Sequence, residues 1–210
     1  MISFKEKINM SLIKNNIKIE KNPYDLLEKW YKKAKKNEIS NPNAMALSTV
    51  GPFNKPRTRM VLMKEIKENN IIFYTNSNSR KGNHINDNKN VSINFYWKSI
   101  DRQVLISGKI KKISSQESDK YFLTRNRKSQ IGAWASKQSQ KLKSKSNLKT
   151  KFDEIDKKYK GKEIPRPKYW NGYCVYPDSF EFWLQGEGRL HDRVEYKIKS
   201  GQWTTKLLYP

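Results

Sequence analysis

The side chains that could do chemistry sit in a few basic clusters. The most distinctive is Arg189-Leu190-His191-Asp192-Arg193. As a strand, it puts residues 189, 191 and 193 on one face and Leu190 and Asp192 on the other. Three donors with no acid among them repel one another unless they line an anionic or electron-rich ligand. The alternative is that Asp192 and a neighbouring carboxylate satisfy the arginines. A second cluster is Ser79-Arg80-Lys81-Gly82. If Ser79 caps a helix, both cations fall in its first turn, the end the helix dipole disfavours for them. The arrangement becomes favourable when a phosphate binds the free N–H groups and both side chains. The segment alone reads equally well as a surface turn.

Arg57-Thr58-Arg59-Met60-Val61-Leu62-Met63-Lys64 has Arg59, Val61 and Met63 on one parity and Met60, Leu62 and Lys64 on the other. It is a buried strand with cations at its ends, or an edge strand with solvated ends. Tyr121 and Arg125 lie one turn apart if they share a helix. With Ser129 they offer a phenol, a guanidinium and a hydroxyl suited to a phosphate. The alternative is an amphipathic Tyr121 beside a surface Arg125. There is no Ser-His-Asp, Cys-His or paired-carboxylate arrangement. One cysteine (Cys174) and two histidines exclude a disulfide framework and a Cys-based zinc site, and no metal is expected. The residues therefore imply anion pockets with aromatic walls, and an organic cofactor to carry any reaction.

The elements that must position these groups can be read from periodicity. Residues 1–22 read as a flexible arm, and 23–210 as one domain. Asn22-Pro23 opens a helix with Tyr24, Leu26, Leu27, Trp30, Tyr31 and Ala34 at helical spacing. Strands are expected over 44–50, 58–65, 70–75, 91–97, 103–113, 172–176, 179–185, 189–198 and 202–208. Turns fall at Lys67–Asn69 and Asp178. Helices are expected over 80–88, from the Ser114–Glu117 capping box through Arg125, over 129–137 and over 141–162. Strand–turn–strand joins dominate without a βαβ rhythm. This points to a β-rich α+β fold, an antiparallel barrel with peripheral helices.

Composition adds boundaries. The 210 residues carry 44 Lys+Arg against 20 Asp+Glu, a formal charge of +24. Such a charge invites a nucleic-acid reading. Only nine of these cations are Arg, however, and Lys is spread along the whole chain. A Lys-coated surface is the preferred reading, and no nucleic acid is expected as a partner. No apolar run approaches the roughly 20 residues of a membrane span, so no membrane is expected either. The N-terminus lacks a signal-peptide pattern, which makes the cytoplasm the expected compartment.

Taken together, Arg59–Lys64, Phe73-Tyr-Thr-Asn76, Ser79-Arg-Lys81, Arg102-Gln-Val104, Tyr121-Phe-Leu-Thr-Arg125, Ser129–Ser139, Phe180-Glu-Phe-Trp183 and Arg189–Arg193 resemble the pyridoxamine 5′-phosphate oxidase family in that order. The resemblance runs from about Pro23 to Pro210. It implies an FMN-dependent oxidase on a split β-barrel of the FMN-binding type, working as a homodimer with FMN at the interface. The family reaction oxidises pyridoxamine or pyridoxine 5′-phosphate to pyridoxal 5′-phosphate, with O2 as acceptor and H2O2 as product.

The resemblance also assigns roles. Arg59, Ser79, Arg80, Lys81, Gln138 and Ser139 would hold the FMN phosphate and ribityl end. Met60, Val61, Leu62, Lys64, Tyr74, Thr75, Gln103, Trp183 and Arg193 would line the rest of FMN. Lys64, Tyr121, Arg125 and Ser129 would grip the substrate phosphate. Arg189 and His191 would be the catalytic pair over the substrate ring. The Arg-x-x-Tyr pair that the family's N-terminal arm often offers to substrate is missing, since no Arg precedes Arg57 and no Tyr precedes Tyr24.

Overall fold

Asn22 starts the first helix, α1 (Pro23–Asn37): its side chain accepts the Tyr24 N–H, and Pro23 sits where a missing N–H is harmless. The computed structural model describes residues 15–210. After α1 come β1 (Ala44–Val50), β2 (Pro56–Leu62), β3 (Glu65–Lys67) and β4 (Asn70–Asn76). Next are α2 (Arg80–Asp87), β5 (Asn90–Trp97), β6 (Arg102–Lys112), α3 (Ser115–Leu123), α4 (Arg127–Ala135) and α5 (Lys145–Lys158). The chain closes with β7 (Trp170–Leu184), β8 (Asp192–Lys199) and β9 (Gln202–Leu207).

All strands join one antiparallel sheet, in the order β2-β1-β5-β6-β7-β4-β3, with β8 and β9 continuing from β7. The sheet curls enough for β2 to approach β4. This is the antiparallel, barrel-like architecture with outer helices that the strand–turn–strand rhythm implied. Alternation decides what points inward. Val91, Ile93, Phe95 and Trp97 of β5 are buried, as are Val104, Ile106 and Ile110 of β6. α1 lays Tyr24 and Trp30 edge-on against Phe180 and Phe182 of β7. A second, smaller core of Phe122, Ile131, Ile155, Ile164 and Trp170 lies under α3, α4 and α5. No helix among the described residues is long and apolar enough to cross a membrane.

In the strands and the arm, the structure departs from the sequence reading at four places. The segment 65–67, read as the end of a strand and a turn, is a separate short strand pairing β4. The two strands expected around Asp178 are one continuous strand, β7. The Pro177-Asp178 signal marks a bulge, where the β6 register slips between Ser107 and Gly108. Gly108 allows it, since a Cβ there would lie 2.2 Å from the Tyr176 carbonyl oxygen. β8 begins at Asp192, not at 189, because 187–189 form a tight turn with φ +58° at Gly188 and +65° at Arg189. Finally, residues 15–22 of the expected flexible arm lie packed against the sheet. Ile17 is buried, Asn16 donates through N and Nδ2 to Asp192 (both 3.0 Å), and Glu20 exchanges backbone bonds with the Tyr196 hydroxyl. Residues 1–14 of that arm lie outside the described residues.

Phe182 touches helix, sheet and β8 at once, through Trp30, Phe180 and Tyr196. Phe182→Ala should lower unfolding stability by about 3–5 kcal/mol in urea titrations. A midpoint equal to the parent would contradict this account of the core.

Candidate functional site

The basic clusters of the N-terminal half converge between β2, β4 and the start of α2. Arg59 stands across from Leu47 of β1. Its Nη1 donates to the Leu47 carbonyl (3.0 Å) and to Thr49 Oγ1 (2.7 Å). Burial, then the neighbouring charges of Arg57 and Arg80, hold its pKa below the usual arginine range. Lys81 is 7% exposed, and its Nζ donates to Gln138 Oε1 (3.0 Å) and Ser79 Oγ (3.3 Å). Burial first, and Arg59 second, push the Lys81 amine down to about 8. These groups, with Arg57, Thr58, Met60, Arg80, Gln138 and Ser139, line a cavity of about 550 Å³ that contains no carboxylate. Ser79 does what its type predicts for a helix start: its Oγ accepts the Gly82 N–H and donates to the Asn76 carbonyl. That hydroxyl serves the helix cap and does not line the cavity.

A second cavity, of about 500 Å³, shares Met60, Lys81 and Gln138 with the first. Its other walls are Val61, Leu62, Lys64, Tyr74, Thr75, Tyr121, Thr124, Arg125, Asn126, Ser129 and Trp170, again without an acid. Arg125 is not on the same helix as Tyr121, because α3 stops at Leu123 with Thr124 as its cap. The two side chains still meet at this cavity. Tyr121, Tyr74 and Trp170 stack nearly parallel, with Tyr74 3.9 Å from Tyr121 and 5.2 Å from Trp170 between ring centres. Burial lifts the Tyr74 phenol to about 12. The Arg125 guanidinium lies 4.6 Å over Trp170 and 5.6 Å from Phe122. Its Nη1 is buried without a hydrogen-bond partner, and burial lowers its pKa. A buried, unpaired guanidinium nitrogen is costly unless an anion meets it.

The remaining candidates form a separate group. Gln103 faces Trp183 across β6 and β7, and Trp183 faces Arg193 across β7 and β8. Trp183 packs against the His191 ring, 4.6 Å between centroids, and His191 Nδ1 accepts the Gly186 N–H (3.2 Å). Arg193 donates through Nε to Glu181 Oε1 (2.9 Å) and through Nη1 to the Tyr209 carbonyl (2.8 Å), and its Nη2 forms an ion pair with the same Glu181 oxygen at 2.8 Å. The carboxylate alternative is therefore met for Arg193, by Glu181 and not by Asp192. Arg189 sits in the turn before β8, so the expected single strand face of 189, 191 and 193 does not form. A left-handed backbone at a non-glycine residue is strained, and such strain clusters where a side chain must be aimed.

Among the described residues, the two cavities include none of Gln103, Trp183, Arg189, His191 and Arg193. Sequence reading missed Trp170, the floor under Arg125. It also missed the lining roles of Thr58, Thr124 and Asn126. Nothing in their spacing marks them, since only the fold brings β7 under the α3–α4 link.

Residues 31–159 match the family described as pyridoxamine 5′-phosphate oxidase, and residues 170–210 match the pyridoxine 5′-phosphate oxidase C-terminal dimerisation region. A pyridoxine/pyridoxamine 5′-phosphate oxidase of Pelagibacter ubique is 45% identical over 90% of this chain and 91% of its own. One from Aliarcobacter butzleri is 44% identical over 91% of each. Among solved structures, PhzG of Burkholderia lata 383, in complex with tetrahydrophenazine-1-carboxylic acid, superposes with a TM-score of 0.86 at 30% identity, covering 91% of this chain and 94% of that one. A pyridoxamine 5′-phosphate oxidase-related, FMN binding protein of Nostoc punctiforme shares the fold, with a TM-score of 0.73 at 16% identity over 91% of this chain and all of the other.

The depressed Lys81 amine gives the first cavity a pH signature. A phosphate dianion favours the ammonium form, so binding should weaken as pH rises through about 8. The ligand-free protein should change in the opposite sense. The folded pKa lies below the ordinary lysine value of 10.5, so this group adds stability as pH rises from about 8 towards 10.5. Calorimetric titration with inorganic phosphate tests the binding arm. Its Kd should climb above pH 8, and Lys81→Met should flatten the profile. A flat profile in the parent would refute the assignment.

Proposed function

Because the chain belongs to the pyridoxamine 5′-phosphate oxidase family, FMN-binding oxidoreductases, we propose that it oxidises pyridoxamine or pyridoxine 5′-phosphate to pyridoxal 5′-phosphate. Bound FMN would supply the redox chemistry, as acceptor of two electrons from the substrate and their donor, with two protons, to O2 to give H2O2; for the amine substrate, water would then release ammonia. The observation that carries this reading is the pair of adjoining, carboxylate-free basic cavities. Two phosphorylated ligands need two sets of cations. The donors fit them: Arg59, Arg80 and Lys81 converge on one cavity, and the unpartnered Arg125 Nη1 serves the other.

In this proposal Arg59, Arg80, Lys81, Gln138 and Ser139 hold the FMN phosphate and ribityl end. Ser79 contributes by fixing the helix start and the Lys81 ammonium. Met60, Val61, Leu62, Lys64, Tyr74 and Thr75 line the flavin. Lys64, Tyr121, Arg125 and Ser129 bind the substrate phosphate, and Arg125 is pre-set by its stack on Trp170. Arg189 orients the substrate ring and offsets charge on its oxygen or amine substituent. His191 assists by hydrogen bonding, with its ring held against Trp183.

The match of residues 170–210 to a dimerisation region supports a homodimer. We place FMN at its interface on a geometric argument. Trp170, in the second cavity, and Trp183, beside His191, lie at opposite ends of β7, up to about 43 Å apart along the strand. The cavities border β2, whereas Trp183, His191 and Arg193 border β8. One flavin touching both groups is most simply reached by joining two chains. A flavin-binding relative with another substrate is the second reading, since PhzG is solved with tetrahydrophenazine-1-carboxylic acid. The Lys64 and Arg125 anion region favours a phosphorylated substrate.

Purified protein should be yellow and release FMN on denaturation. Pyridoxine 5′-phosphate added without oxygen should bleach the flavin band, and air should restore it. Protein that stays colourless with excess FMN would overturn the proposal. Arg189→Lys should keep FMN bound while turnover falls about 100-fold, and Arg125→Leu should raise KM by about 10–100-fold.

A further inference from the structure

We propose that His84 is a positioning residue for the phosphate clamp, acting through Thr49 on Arg59. The inference rests on the reading that the Arg59 cavity takes the FMN phosphate. His84 is 6% exposed, one turn after the two cations that open α2, and it does not line the cavity itself. Its Nδ1 lies 3.1 Å from Thr49 Oγ1, and Thr49 is 1% exposed. The same hydroxyl oxygen takes the 2.7 Å hydrogen bond from Arg59 Nη1.

Donor inventory fixes the first link of this relay. A guanidinium only donates, so the Thr49 oxygen accepts from Arg59. The single hydroxyl hydrogen is then free for His84 Nδ1, and the proposal assigns the ring the tautomer with its proton on Nε2, in which Nδ1 accepts. His84 thus orients the Thr49 hydroxyl, and Thr49 orients Arg59. The Leu47 carbonyl holds the same Nη1 from a second side (3.0 Å). Nε and Nη2 of Arg59 have no protein partner among the described residues. They are left for the cavity where Arg57, Arg80 and Lys81 also converge.

The imidazole is itself held in place. The backbone at Gly51 lies so close that a Cβ there would stand 2.5 Å from His84 Cε1. One buried ring therefore ties the helix that carries Arg80 and Lys81 to the strand pair that carries Arg59. Without the relay, Arg59 keeps its charge but loses its fixed rotamer, and a clamp that must be ordered on binding is weaker.

The test compares FMN with riboflavin, which lacks only the phosphate, by flavin fluorescence quenching on the full chain stripped of flavin. His84→Leu and Thr49→Val should each lower the FMN preference about tenfold, with riboflavin Kd changed less than about twofold. The double variant should lose little more than either alone, because both cut one relay. His84→Asn, whose Oδ1 stands as many bonds from the backbone as Nδ1, should recover most of the preference. Equal weakening of FMN and riboflavin, or an unchanged preference in Thr49→Val, would overturn the inference. If His84→Leu does not fold, Thr49→Val decides alone. Arg59→Leu is the reference. An unchanged preference there would sink the phosphate reading and the inference together. A loss there, with none in Thr49→Val, would sink the inference only.

Discussion

One strand holds the molecule together. β7 runs for 15 residues, pairs β6 along nearly its whole length, and on its other edge pairs β4 through Trp170–Val175 and β8 through Ser179–Leu184. Both halves of the proposed site hang from its ends. Trp170, at the start, is the floor under Arg125, and Trp183, near the end, is the wall beside His191. Thirteen strand steps at about 3.3 Å set them up to about 43 Å apart along the strand. The scaffold thus keeps the two groups of one chain apart, in keeping with the proposed completion of the site by a second chain.

In the half that holds the two cavities the governing term is electrostatic. The two cavities gather Arg57, Arg59, Lys64, Arg80, Lys81 and Arg125 with no carboxylate lining either. Elsewhere the same chain pairs its charges freely, as in Lys29–Glu20, Arg166–Asp119 and Arg193–Glu181. Leaving cations unpaired and partly buried lowers stability, visible in the depressed pKa values of Arg59, Lys81 and Arg125. A phosphate reverses that sign, turning a destabilised cluster into a charge-assisted clamp.

Local rules made much of this legible. The Asn22 and Ser79 caps, the Ser114–Glu117 capping box, and the alternation of β5 and β6 all follow from short-range chemistry, and each forms as the residue types dictate. Two of the misreadings share one cause, which is that a turn signal has more than one structural outcome. Pro177-Asp178 reads as a turn but is absorbed as a bulge, because β6 supplies Gly108 opposite it. The strand expected from residue 189 begins only at Asp192, because the turn over 187–189 takes in Arg189 and removes it from that strand. The arm's anchoring on Asp192 and Tyr196 rests on contacts 176 residues apart, which no local pattern encodes.

The division of labour between the two cations follows from geometry. Lysines sit in exposed pairs with flexible partners, such as Lys149–Asp153 and Lys151–Glu154 on α5, where a point charge on a long stem suffices. Arginines stand where a planar fork is used from several sides. Arg127 spans Asp156 and the carbonyls of Asp156, Tyr159 and Lys162. Arg166, with its side chain 7% exposed, joins Asp119, the Trp170 carbonyl and Asn171. Arg59 is held by one nitrogen and presents the others, and Arg125 stacks on a ring with a nitrogen left over. A Lys at any of these positions keeps the charge and loses the plane. The +24 charge of the chain thus divides: many lysines pair on the surface, Lys64 and Lys81 join the cavities as point charges, and the arginines there add a planar shape to their charge.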